Sequence, residues 1–144
     1  MRLFNQNTKV EALRRVPLFE GLSKKELTEL ARVSEDLEVP AGHVLTKQGE
    51  TGQEFFVIVD GTTEVKARGK SLGDRGAGEF IGEIALLEDT KRTATVTAKT
   101  QLRLFVLTRQ DFRRLVDQNP AVERKVLQTL ARRVVELSGD PTVA

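Results

Sequence analysis

The chain contains no cysteine, which excludes a disulfide framework, a thiolate zinc site and thiol redox chemistry. It contains one histidine, His43, so a multi-histidine metal site is excluded too. His43 reads instead as a residue at the start of a strand. Long apolar runs are also missing. The strongest, Phe55 to Val59 and Ile84 to Leu87, fall far short of the ~20 residues needed to cross a bilayer. The opening stretch MRLFNQNTK lacks the apolar centre of a secretory signal, so a cytoplasmic location without membrane association is expected. Nor is one sign of charge in large excess: 23 basic residues face 21 acidic ones for a net +2, and no strongly basic nucleic-acid face is required. No combination of nucleophile, base and orienting group stands out, so catalysis is not expected.

What the chain does contain is enough apolar residue for one ordinary core: 39% of 144 positions. Residues 1–36 read as a helical prelude. Ser23-Lys24-Lys25-Glu26 has the form of a capping box, with Leu22 and Leu27 placed as its hydrophobic staple. Leu27, Leu30 and Ala31 then recur at helical spacing, while Pro17 and Gly21 separate this helix from the segment Lys9 to Val16. From Leu37 the punctuation changes, with glycines from Gly42 to Gly82 arriving every few residues. Between and after them, His43 to Lys47, Glu54 to Val59, Thr62 to Ala67, Thr93 to Ala98 and Gln101 to Leu107 are short β-prone runs bounded by turn residues. Such spacing over residues 37–107 predicts a sandwich or closed barrel.

The β-region ends at Thr108, where Thr108 to Asp111 resembles a second capping box with Leu107 and Phe112 as its staple. A short helix is predicted to about Asp117. Asn119-Pro120 then supplies an N-cap and a first-turn proline for a longer helix, with Val126, Leu130, Val134 and Leu137 along one face as core or dimer seam. Ser138 to Pro141 is its predicted end. The whole chain is therefore expected to be a single domain.

The stretch from Phe80 to Ala98 carries the chemistry. Gly82 lets backbone approach a ligand closely, and the turn Glu83-Ile84-Ala85-Leu86 can aim helix N-terminal amides at a negative oxygen. Arg92 adds a fixed cation with a forked donor geometry suited to phosphate. Glu83 would repel a phosphate unless it had a donor of its own, and a ribose 2′-hydroxyl supplies one. With one arginine and no P-loop lysine, this set suits a singly charged phosphodiester better than a triphosphate.

These residues, GEIALL followed by RTATV, resemble the phosphate-binding cassette of the cyclic-nucleotide-binding domain family, the family of the catabolite activator protein and the regulatory subunits of protein kinase A. Leu18 to Ser23, Gln48-Gly49-Glu50 and Val59-Asp60-Gly61 resemble other motifs of that family. The resemblance implies a mostly β fold, an eight-stranded jelly-roll barrel with a helical segment before it and a helix pair after it, over residues 108–138. It implies that Gly82 and Glu83 hold the ribose, that Ile84 and Ala85 donate amides, that Arg92 takes the phosphate and that Thr93 stands beside it. Lys91 departs from the family's frequent proline and Phe56 from its frequent tyrosine; neither departure removes a ligand contact. A last helix that caps the base makes Leu130, Arg132, Arg133 and Val134 candidates for that contact, since a guanidinium can stack on a purine.

The function implied is a non-catalytic sensor of a cyclic nucleotide, a stand-alone member that needs no cofactor or metal. Cyclic AMP is favoured, and cyclic GMP stays open through Thr93. Its output would be movement of the C-terminal helices toward an unidentified effector protein, as a monomer or as a homodimer through the last helix. After Leu137 seven residues remain, too few for a helix-turn-helix, so direct DNA binding is not expected. Two alternatives are a ligand-independent interaction module on the same fold and the ligand-binding fragment of a larger regulator.

Overall fold

The computed structural model describes residues 6–82 and 91–138. The chain opens with helix α1 (Gln6–Arg14), a 3-10 turn (Pro17–Phe19) and helix α2 (Lys24–Val33). The capping box at Ser23 is complete. The Glu26 N–H donates to the Ser23 hydroxyl at 3.1 Å, and the Ser23 N–H donates to the Glu26 carboxylate at 2.8 Å. Two of the N–H groups that a helix start leaves without partners are thereby satisfied. Leu27, Leu30 and Ala31 are buried on the inner face of α2, as their spacing predicts.

Eight strands follow: β1 (Glu35–Val39), β2 (Val44–Thr46), β3 (Glu54–Asp60), β4 (Thr62–Ala67), β5 (Lys70–Gly76), β6 (Phe80–Ile81), β7 (Thr95–Ala98) and β8 (Leu102–Thr108). They form two four-stranded antiparallel sheets, ordered β1-β8-β3-β6 and β2-β7-β4-β5. This is jelly-roll pairing, and the strand number is the expected one. Of the two forms that the strand spacing allows, sandwich or closed barrel, the described residues take the sandwich, since no ladder among them joins one sheet to the other. β1 begins two residues ahead of the boundary read from the sequence. β1, β5 and β6 were not among the β-prone runs: three of the five residues of EDLEV are acidic, KSLGDRG is glycine-interrupted and mostly exposed, and β6 has only two residues.

The first sheet is buried on both faces, which explains why FFVIV and LFVL read as continuous apolar runs instead of alternating. Phe55, Val57, Phe105 and Leu107 face the helices, while Phe56, Ile58, Leu102, Leu104 and Val106 face the second sheet. The second sheet shows the alternation of a half-buried surface: in β4, Thr63, Val65 and Ala67 are buried while Lys66 is exposed. Two hydrophobic clusters result, one between helices and sheet and one between sheets.

Helices α3 (Arg109–Gln118) and α4 (Pro120–Ser138) close the helical side. Thr108 caps α3 by accepting from the Asp111 N–H, and Leu107 and Phe112 are both buried beside it. Phe112 stacks on Phe55 with ring centroids 4.0 Å apart. Asn119 stands at the N-cap position expected of it, its carbonyl accepting from the Glu123 N–H at 3.0 Å to begin α4, while its side-chain amide donates to the Leu115 carbonyl at 2.8 Å and finishes α3. In α4, Val122 and Val126 are buried and Leu130 packs partly against the same cluster, but Val134 is 51% exposed. The predicted apolar stripe therefore docks along its first part only; of Leu137 the backbone alone is described. No described helix is long and apolar enough to cross a membrane.

Candidate functional site

Strand β3, the short strand β6 beside it and the turn before β7 bring the candidate residues together. β6 pairs with β3 through Phe56 and Ile81, so its continuation places Gly82 next to the start of β3. The turn carrying Arg92 is tied to the Gln48–Glu50 turn by backbone bonds in both directions. Arg92 N–H donates to the Glu50 carbonyl at 2.8 Å, and Gly49 N–H donates to the Arg92 carbonyl at 2.9 Å. A bridge between Thr51 and Lys91 extends this pairing.

The Arg92 side chain is only 7% exposed. Its Nη2 donates to the Glu54 carbonyl at 2.7 Å and its Nη1 to the Gly82 carbonyl at 3.3 Å. Its Cζ lies 6.0 Å from the centre of the Phe56 ring, the outer limit of a cation–π contact. A buried guanidinium without such acceptors would carry a heavy desolvation penalty. Held on two carbonyls, it is a rigid fork whose direction is set before any ligand arrives. Gly82 has φ +99°, a conformation that favours glycine, and a Cβ there would collide with Arg92 Nη1 and come within 2.8 Å of the Glu54 carbonyl oxygen. The role of glycine at 82 is thus twofold, turning the chain and admitting the arginine. Arg92 also lines a cleft of about 430 Å³ with Thr46, Lys47, Glu50 and Gln53, a size within the usual range of small-molecule sites.

The sequence profile of the cyclic nucleotide-binding domain matches residues 36–119. The chain belongs to the cyclic nucleotide-binding domain family. It is 36% identical over 126 residues to a cyclic nucleotide-gated potassium channel of Rhizobium etli, a match covering 88% of this chain and 34% of the channel. With the cAMP-dependent protein kinase regulatory subunit of Schizosaccharomyces pombe it shares 35% over 105 residues, 72% of this chain and 26% of that one. The chain thus spans about a third or less of the length of these relatives. Among solved structures, a cAMP-bound PfPKA-R superposes with a TM-score of 0.83 over 95% of this chain and 48% of that one, at 24% identity, a likeness of fold.

In this cyclic nucleotide-binding domain the matched span runs from β1 through α3, and α4, with the four base-cap candidates, lies beyond it. Gly82 and Arg92 are brought together, and Thr93 follows Arg92 as an exposed residue. Glu83, Ile84 and Ala85 lie outside the described residues. Among the described residues, Arg133 is the base-cap candidate that reaches Phe80. Its Nη2 donates to the Phe80 carbonyl at 2.5 Å and its guanidinium lies 5.0 Å from the Phe80 ring centre. Arg132 is exposed and donates to Thr129 of its own helix at 3.1 Å. Leu130 packs on the helical core, and Val134 faces outward.

Three contributors were missed in the sequence. The Glu54 carbonyl is one, and main-chain acceptors leave no trace in side-chain pattern. Phe56 was read only as a harmless replacement for tyrosine, yet its ring faces Arg92. Gly52, one glycine among many in the β-region, lies against the arginine stem.

Proposed function

We propose that this domain binds a 3′,5′-cyclic nucleotide, with cyclic AMP preferred over cyclic GMP, and acts as a non-catalytic sensor. The observation that carries the reading is the buried Arg92 fork, oriented by the Glu54 and Gly82 carbonyls. Arg92 pairs with the cyclic phosphate, a monoanion for which one guanidinium suffices. Glu83 accepts from the ribose 2′-hydroxyl, Gly82 allows the close approach, Ile84 and Ala85 donate backbone N–H groups to the phosphate, and Thr93 contacts it from beside Arg92. The preference for cyclic AMP draws support from the kinase regulatory subunit and the cAMP-bound structure among the similar proteins.

The output is a shift of α3 and α4 toward an effector protein. Arg133 supports this reading, because its hold on Phe80 ties α4 to the strand that runs into Gly82. A ligand held at Gly82 and Arg92 acts on α4 through that tie, and Arg133 becomes the candidate that turns to the purine.

Calorimetry with each nucleotide tests the proposal. Binding of cyclic AMP tighter than that of cyclic GMP is expected, and Arg92→Ala should remove about 2–5 kcal/mol of it, as loss of one partner of a buried charge pair does. Neither heat nor a thermal shift with either nucleotide at high micromolar concentration would refute ligand binding. Unchanged affinity in the variant would refute the arginine's role.

A further inference from the structure

We propose that Gly52 is a positioning residue for Arg92, the wall of a slot that fixes the direction of the guanidinium; its effect on ligand binding rests on reading Arg92 as the phosphate partner. A glycine generally stands where the backbone needs positive φ or where a side chain would collide. The first reason is absent at position 52. Eight glycines here, Gly49 and Gly82 among them, have positive φ, and Gly52 is not one of them. Its backbone conformation is open to alanine, so the requirement comes from space.

That space is taken by Arg92. Gly52 is buried, and a Cβ built on it would overlap Arg92 Nε and Cζ and come within 2.8 Å of Cδ, where carbon atoms normally sit about 3.5–4.0 Å apart. Long side chains can often swing away from such a clash. Arg92 is held at three places: its backbone by the Glu50 and Gly49 bonds, Nη2 by the Glu54 carbonyl and Nη1 by the Gly82 carbonyl. At the far end of the same side chain Gly82 lies against Nη1, and its own missing Cβ is what admits that nitrogen. The guanidinium thus lies between two glycines, Gly52 at the stem and Gly82 at the tip. Any side chain at 52 breaks at least one carbonyl bond or turns the fork away from its ligand-facing direction.

A double-mutant cycle over Gly52→Ala and Arg92→Ala, read by thermal unfolding and by cyclic AMP titration, tests the slot. With Arg92 present, Gly52→Ala should lower the unfolding midpoint and weaken cyclic AMP binding by about tenfold or more, as displacements of about 1 Å in a positioned group do. With Arg92→Ala, the same substitution should leave the midpoint unchanged or raise it, because the space is vacant and alanine reduces the freedom of the unfolded chain. Equal destabilisation in both backgrounds would overturn the proposal, as would Gly52→Ala leaving midpoint and affinity both intact. Should Gly52→Ala fail to fold, recovery of folding in the double variant supports the slot, and failure of both overturns it. If the unaltered protein binds neither cyclic AMP nor cyclic GMP, the phosphate reading falls while the unfolding arm still decides the role of Gly52.

Discussion

Arg92 was legible from its place nine residues after Glu83, and Gly82 from the pair it makes with Glu83. The reason they are held was not legible, because it is a set of main-chain acceptors and a glycine 40 positions away. This arrangement asks for a fork and not merely a charge. Arg92→Lys keeps the cation but replaces a planar two-armed donor with a single ammonium that cannot span the Glu54 and Gly82 carbonyls in the same way. Leaving one buried acceptor without its donor costs about 1–3 kcal/mol, so urea unfolding of Arg92→Lys should show a loss of that order. Cyclic AMP affinity should fall with it. A lysine variant as stable as the parent would show that the two carbonyl bonds contribute nothing.

Helix starts were the best-read elements, since a cap depends on neighbours within four residues. Ser23, Glu26, Leu22 and Leu27 stand in one short window, and the box forms as read. Replacing Ser23 with Ala should cost about 1 kcal/mol of stability, the usual worth of an N-cap. The Ser23 backbone N–H, followed by its hydroxyl, holds the Glu26 carboxyl below its ordinary pKa. The folded state favours the ionised form, so this contribution is complete above the unfolded pKa and is lost as pH falls through the lower folded value. The protection factor of the amides in the first turn of α2, their exchange rate relative to an unstructured chain at the same pH, should fall as pH drops below the ordinary carboxylate range, and Glu26→Gln should flatten that dependence. An identical profile in the variant would assign the acid sensitivity elsewhere. Asn119 stands between two helices and serves both: its carbonyl begins α4 as expected, while the turn of its side-chain amide back to Leu115 depends on how α3 and α4 meet.

Within the hydrophobic cluster that joins the helices to the first sheet runs a row of aromatic rings. Phe112 is fully buried and stacks on Phe55, which in turn meets Phe80 with centroids 5.5 Å apart. The row runs from α3 through β3 to the strand that leads into Gly82. Phe112→Ala should therefore destabilise the protein by about 3–5 kcal/mol, the range for removing a buried phenyl group. Leu127, 56% exposed on α4, offers the contrast: Leu127→Ser should stay within about 0.5 kcal/mol, as surface changes usually do. Denaturant midpoints of the two variants check both values, and a large loss at Leu127 would mean that this face of α4 is covered in solution.

Five of the strand-prone runs and the caps at Ser23 and Thr108 were readable because each is written within a few neighbouring residues. The continuous apolar runs of β3 and β8 carried a further message, burial on both faces, which became clear once the helices were seen on one side and the second sheet on the other. Pairing was beyond such reading. β1 meets β8 across most of the chain, β5 holds its edge position with little apolar character, and Arg133, not its neighbour Arg132, turns to Phe80. Those outcomes depend on which surfaces bury together and on where a helix comes to rest. Local composition cannot encode them, since one glycine, arginine or carbonyl resembles another until the folded chain sets them side by side.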